Sequence, residues 1–282
     1  MNDRVGTAAP GLPFSKMHGL GNDFVLIDQR DNWAVLTPDM VRLIGDRHRG
    51  VGFDQLAEIF PDDQADARLV FWNSDGSTAG ACGNATRCIA DVLMSERGSS
   101  ELQLRTERGL LACRRCSSGL IEVDMGTALL AWHEVPLAEE VDTLKLPIDG
   151  SPAACSVGNP HCTYFVPDVA SFPLERLGPE IENHGLFPER TNVQIVEVRS
   201  RNEARVRVWE RGVGVTLASG SSSCAVVVNA VRRGLMDRKA RLTLDGGDIE
   251  ITWRENGHVV MAGPVAPVFT GLFTEAFLES AR

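Results

Sequence analysis

Apolar residues along this chain recur mostly with a period of two, so strands are the commonest predicted element. Residues 24–28 and 68–72 are β-branched and aromatic runs, the second closed by the turn signal Asn73-Ser74-Asp75-Gly76. Residues 102–105, 120–124, 192–198 and 204–209 alternate apolar and polar side chains. Residues 241–244 and 249–253 flank Asp245-Gly246-Gly247 and predict a hairpin. Helical spacing appears over residues 38–46, 84–95 and 222–233, with Gly98 and Gly234 as stop signals for the last two.

Those last two helices expose a repeat. Ala81-Cys82-Gly83 precedes one and Ala218-Ser219-Gly220 the other, and a cysteine (Cys88, Cys224) sits inside each. Positions 82 and 219 are 137 apart, about half of the 282 residues. A duplicated unit at that spacing predicts an α+β fold of two similar domains, 14–130 and 131–263, with the boundary near 127–133. Residues 1–13 read as a flexible arm, and residues 264–282 as a segment returning to the first domain.

Composition narrows the class. The apolar fraction of 43% and charged fraction of 23% are those of a globular protein. No apolar run reaches the roughly 20 residues of a membrane span, and residues 1–13 lack the apolar region of a secretory signal. A net charge of −10 argues against nucleic-acid or anionic-membrane partners, which meet basic surfaces. Seven cysteines, an odd number, read as reduced thiols and a cytoplasmic location, not a disulfide framework.

Chemistry concentrates at the repeats. Cys82 lies on a Gly-rich turn before a helix, where unpaired N–H groups and the helix dipole favour a thiolate and can hold a carboxylate. The alternative is a structural cysteine beside a helix cap; the Asn, Asp, Gly and Arg residues around Cys82 favour function. Residues 209–221 repeat the Gly-rich turn, and Glu210-Arg211 closes the preceding strand. In Gly158-Asn159-Pro160-His161-Cys162 the histidine starts a strand and could tune a thiol or bind substrate. Cys113-Arg-Arg-Cys116 has metal-ligand spacing but no second Cys/His pair nearby, so no metal is expected. The glycines of His18-Gly19-Leu20-Gly21-Asn22-Asp23 do not form a dinucleotide fingerprint.

Several segments resemble the diaminopimelate epimerase family: the start Phe14-Ser-Lys-Met-His-Gly-Leu-Gly-Asn-Asp-Phe-Val, Asn73-x-Asp75-Gly76-Ser77-x4-Cys82-Gly83-Asn84-Ala85-x-Arg87, Gly158-Asn159-Pro160-His161, Glu189-Arg190-Thr191-Asn192 and Glu210-Arg211-Gly212-x-Gly214. The resemblance implies two pseudo-symmetric α/β domains with the active site in the cleft between them, and interconversion of LL- and meso-diaminopimelate without cofactor or metal. It implies Cys82 and position 219 on opposite faces of the α-carbon. Substrate contacts would be Asn22, Gln55, Asn73, Asn159, Asn192, Glu210 and Arg211. The backbones of Gly83-Asn84 and Gly220-Ser221 would hold the reacting carboxylate, and His161 and Glu210 would tune the thiols. A homodimer acting on a small amino acid is the family expectation.

Position 219, however, is serine where the family has its second cysteine, and Val215 stands where glutamate is usual. A serine hydroxyl needs a strong partner to act as a base. Two other readings therefore stay open: a one-base amino-acid isomerase, racemase or dehydratase in which Cys82 acts alone, and a non-catalytic ligand-binding relative, which the complete Cys82 loop disfavours.

Overall fold

The structure is a computed structural model and describes residues 11–31 and 34–281. Its first half runs β1 (Gly11–Gly19), β2 (Asn22–Asp28), α1 (Pro38–Gly45), β3 (Gln55–Phe60), β4 (Ala67–Asn73), β5 (Thr78–Ala79), α2 (Gly83–Arg97), β6 (Glu101–Thr106), β7 (Gly109–Arg115) and β8 (Ile121–Thr127). The second repeats that order: β9 (Ala153–Ser156), β10 (Pro160–Phe165), α3 (Leu174–Glu182), β11 (Asn192–Ser200), β12 (Glu203–Glu210), β13 (Gly214–Thr216), α4 (Gly220–Arg232), β14 (Lys239–Leu244), β15 (Gly247–Trp253) and β16 (His258–Gly263). Strand β17 (Ala266–Thr274) and helix α5 (Glu275–Glu279) follow.

The repeat extends to register. Phe24 of β2 pairs in parallel with Gln55 of β3, and His161 of β10 with Asn192 of β11. Trp72 pairs with Thr78 across β4 and β5, and Trp209 with Val215 across β12 and β13. Each tryptophan donates its indole N–H to a buried glutamate at 2.7 Å, Trp72 to Glu58 and Trp209 to Glu182. Antiparallel pairing of β8 with β16 joins the halves, and β17 lies antiparallel along β1 from Gly11 to His18.

Helices α2 and α4 are buried over most of their surface and share one apolar core, in which Cys88, Ile89 and Leu93 meet Cys224, Val227 and Val228. A hydroxyl one turn into each helix braces its start: Thr86 Oγ1 donates to the Cys82 carbonyl at 2.7 Å and Ser223 Oγ to that of Ser219 at 2.8 Å. Two sequence boundaries shift. Strand β1 begins at Gly11, because Leu12 and Phe14 are buried against β17, so residues 11–13 of the expected arm are sheet; residues 1–10 lie outside the described residues. Strand β8 continues through Met125-Gly126 to Thr127, held by its pairing with His258.

Candidate active site

Cys82 and Ser219 are the N-caps of α2 and α4, with nearly the same backbone angles: φ −146° and ψ 107° for Cys82, φ −140° and ψ 119° for Ser219. The two helix starts meet over the Met261 thioether. A Cβ at Gly83 would collide with the Met261 methyl, and one at Gly220 would come within 2.8 Å of its sulfur. Glycine at both positions lets the helices approach this closely. The Asn84 amide oxygen, buried without a partner, lies 3.5 Å from where a Gly220 Cβ would stand. The first N–H groups of each helix have no helical acceptor and so favour an anion at this junction.

The caps differ in what they bond. The Cys82 sulfur turns back and accepts from the Ala85 N–H at 3.5 Å. Ser219 makes no such cap; its hydroxyl donates to Glu210 Oε2 at 2.9 Å, and Thr216 Oγ1 donates to Glu210 Oε1 at 2.7 Å. Burial raises the Glu210 pKa above the usual carboxylate range against these two bonds, and the charge of Asp54 adds to the rise.

The expected thiolate is not what this environment favours. Burial pushes the Cys82 thiol up to about 12, and the charge of Glu210 raises it further; the N–H groups of Ala85 and Asn84 lower it but do not win. Desolvation of the anion outweighs the helix terminus. His161 departs from its expected role too. It is fully buried, and its ring nitrogens sit 2.9 Å from Asn159 Oδ1 and from Gln194 Nε2, so its partners are amides and neither Cys82 nor Ser219. Burial, with the charges of Arg211 and Arg108, takes its pKa down to about 3, so it is a neutral positioning group.

The other candidates form a frame around the junction. Asn22 accepts from the Asn84 amide at 3.0 Å and donates to Asp54 at 2.7 Å. Gln55 donates to Asn73 at 2.9 Å, and Asn73 to Ser77 at 3.0 Å. Asn192 donates to the Pro160 carbonyl and accepts the Arg211 backbone N–H, both at 3.0 Å, tying Arg211 to the Asn159–His161 segment. Ser221 is the second residue of α4.

Cys224 is buried in the core inside α4, away from the cap. Cys113 lies in β7 and Cys116 just beyond it, and the Leu20-Gly21 pair is the turn of the β1–β2 hairpin. Sequence reasoning passed over Thr216, Gln194 and Met261. The first two carry common polar side chains on strands with nothing local to mark them. Met261 reads as an ordinary core residue until both helix starts are in place.

A family model described as "Diaminopimelate epimerase" matches residues 14–131 and 153–268. Relatives named diaminopimelate epimerase include one from Acidiphilium cryptum (strain JF-5), 50% identical over 96% of this chain and 99% of that one. One from Gluconobacter oxydans (strain 621H) is 51% identical over 92% of this chain and 98% of that one. Among solved structures, a PhzF-family phenazine biosynthesis protein of Bacillus anthracis aligns with a TM-score of 0.67 at 14% identity, covering 93% of this chain and 99% of that one. A hydroxyproline epimerase of Agrobacterium vitis aligns at 0.68 and 13%, covering 94% and 92%. At those identities the two structures speak to the fold alone.

Proposed function

The chain belongs to the diaminopimelate epimerase family, and we propose that it interconverts LL- and meso-2,6-diaminopimelate, with Cys82 serving one face of the α-carbon and Ser219 the other. The observation that carries this reading is the hydrogen bond from Ser219 to the buried Glu210 carboxyl, which gives the hydroxyl the strong partner it needs. The substrate α-carboxylate sits on the N–H groups of Gly83, Asn84, Gly220 and Ser221, which also stabilise the charge that grows as the α-proton leaves.

The proton inventory closes within the site. The thiol is far the weaker acid, so the resting pair is a Cys82 thiol and a Glu210 carboxylate. Ser219 Oγ takes the α-proton while passing its own to Glu210, and Cys82 protonates the opposite face of the carbanion. The site is left as a Cys82 thiolate and a neutral Glu210, which serves the reverse direction or returns to rest by proton exchange with solvent. Serine never carries a full negative charge. No step calls for a metal, pyridoxal or nicotinamide group, and full turnover after exhaustive chelation and dialysis is the expected result; a loss restored by one added cofactor would count against the scheme.

The reading includes a cytoplasmic location and a homodimer. No helix among the described residues is long and apolar enough to cross a membrane. The exposed Val268, Phe269 and Leu272 of β17 offer apolar area to a second copy, which sedimentation would test. The test of the reaction is incubation with LL-diaminopimelate in deuterated water, followed by NMR. Inversion with deuterium at the α-carbon is expected, and Cys82→Ala abolishes it. Exchange without inversion would refute the two-face scheme.

A further inference from the structure

We propose that Arg108 is a specificity residue of this site: with Arg211 it forms a two-guanidinium clamp for the far carboxylate of an amino dicarboxylate. The inference deepens the reading above and rests on it. Arg108 sits with Glu107 in the two-residue turn between β6 and β7, in the first half of the molecule. Its side chain runs past Gly80, two residues before Cys82, where a Cβ would stand 3.5 Å from Nε. It ends on Gly158 of the second half, where a Cβ would collide with Nη1. Gly158 is glycine for two reasons, this contact and a φ of +99°.

Gly158 opens the Gly158-Asn159-Pro160-His161 segment, and Asn192 ties the backbone of Arg211 to Pro160 of that segment. The two arginines therefore flank one stretch of backbone from opposite halves. Partial burial and the nearby charge of Arg211 lower the pKa of Arg108 against the opposing charge of Glu107. Among the described residues no side chain hydrogen-bonds or ion-pairs with the Arg108 guanidinium, whereas most arginines of this acidic chain have a carboxylate. Arg211 spends one N–H on the Glu189 carbonyl and likewise meets no carboxylate. Two guanidinium charges on one stretch of backbone, with only the neighbouring Glu107 carboxylate to offset them and no ion pair formed, make a place for an anion, and a guanidinium fork suits a carboxylate in two-point contact. Because Arg108 comes from the other half, a substrate carrying that second carboxylate draws the halves together across it.

The test is steady-state kinetics on LL-diaminopimelate with the full chain, Arg108→Gln and Arg108→Lys, beside calorimetric binding of pimelate, the same dicarboxylate without amino groups. The Arg108 side chain lies in a surface turn and makes no hydrogen bond or ion pair among the described residues, so all three proteins should melt alike. Arg108→Gln is expected to raise KM roughly tenfold with kcat within about threefold, and to weaken pimelate to a similar degree; Arg108→Lys recovers part of both. A KM and a pimelate affinity within twofold of the parent would overturn the inference, as would a fall in kcat at unchanged KM. Wild-type protein that fails to epimerise diaminopimelate would sink the parent reading and this one with it. Wild-type turnover with an unaltered Arg108→Gln variant sinks the clamp alone.

Discussion

At the scale of single residues, the molecule turns on what a hydroxyl can do at position 219. A free serine is badly matched to proton transfer near neutral pH, since a positioned acid or base works best when its pKa lies near the working pH. The hydroxyl donates to Glu210, and in the proposed relay it bridges that carboxyl and the substrate α-carbon, so the group that titrates is the carboxyl. Glu210→Gln keeps an acceptor for the serine but removes the base. Inversion should fall by about 10²-fold or more with the fold intact, as seen by NMR and melting curves. Parent-like inversion in that variant would dismiss the relay. Ser219→Cys places a better-matched acid on the same carboxyl and should raise turnover roughly tenfold or more. The relay also sets a pH dependence. Glu210 must be ionised to accept the proton, and its pKa is raised, so kcat/KM should fall with decreasing pH through a midpoint above the ordinary glutamate range. A midpoint at or below that range would mean that another group is the base.

At the scale of elements, segments with a clear period or a β-branched run were legible, and buried segments without either were not. Strands β4, β6, β11 and β12 and helices α2 and α4 announce themselves through periodicity and stop signals, and the N-cap positions of Cys82 and Ser219 follow from the Gly-rich turns. Strand β3 hides because both faces are covered and Glu58 interrupts its apolar run; the glutamate is tolerated because Trp72 and Gln29 bond it. Strand β9, Ala-Ala-Cys-Ser, is wholly buried and carries no strong strand former. Helix α3 has no side-chain cap and holds Pro179. In the candidate site, the residues that the motifs single out come together around the two helix starts, but protonation was not readable, since the Cys82 and His161 shifts depend on burial that no local pattern reports. His161 also has a thermodynamic consequence. Its pKa is lowered from 6.5 to about 3, so the unfolded chain takes up a proton below pH 6.5 that the folded chain refuses. The stability His161 contributes is full above 6.5 and is lost as pH falls towards 3, by about 1.4 kcal/mol per pH unit. Denaturant titrations of the parent and His161→Gln across pH 7 to 5 should differ in slope by that amount; equal slopes would show that His161 protonates freely in the folded protein.

On the scale of the whole molecule, the duplication explains how one chain builds a two-faced site. Asn22 and Asn159, Gln55 and Asn192, Cys82 and Ser219, and Gly83 and Gly220 are each 137 positions apart. So are Asn73 and Glu210, where an amide in one half corresponds to a carboxyl in the other. The halves supply the same backbone and diverge in side chains, so proton transfer can be symmetric in geometry and unequal in chemistry. What closes the first half is β17, which returns from the end of the chain to cover β1. Phe273 is buried there, stacked on Phe14 with ring centroids 4.2 Å apart, and pairs with Leu12 at the far end of β1 from His18. Six residue steps along the strand separate Leu12 from His18, about 20 Å, so the aromatic stack lies well away from the Asn22 end that frames the site. Phe273→Ala removes a large buried ring and should cost about 3–5 kcal/mol of unfolding free energy, read as a lower urea midpoint. The same variant, assayed well below its melting temperature, should keep the parent kcat/KM per folded molecule, because the lost ring touches no residue of the proton path. A variant as stable as the parent would mean that β17 does not brace the first half, and a kcat/KM that falls with stability intact would mean that the strand reaches the site.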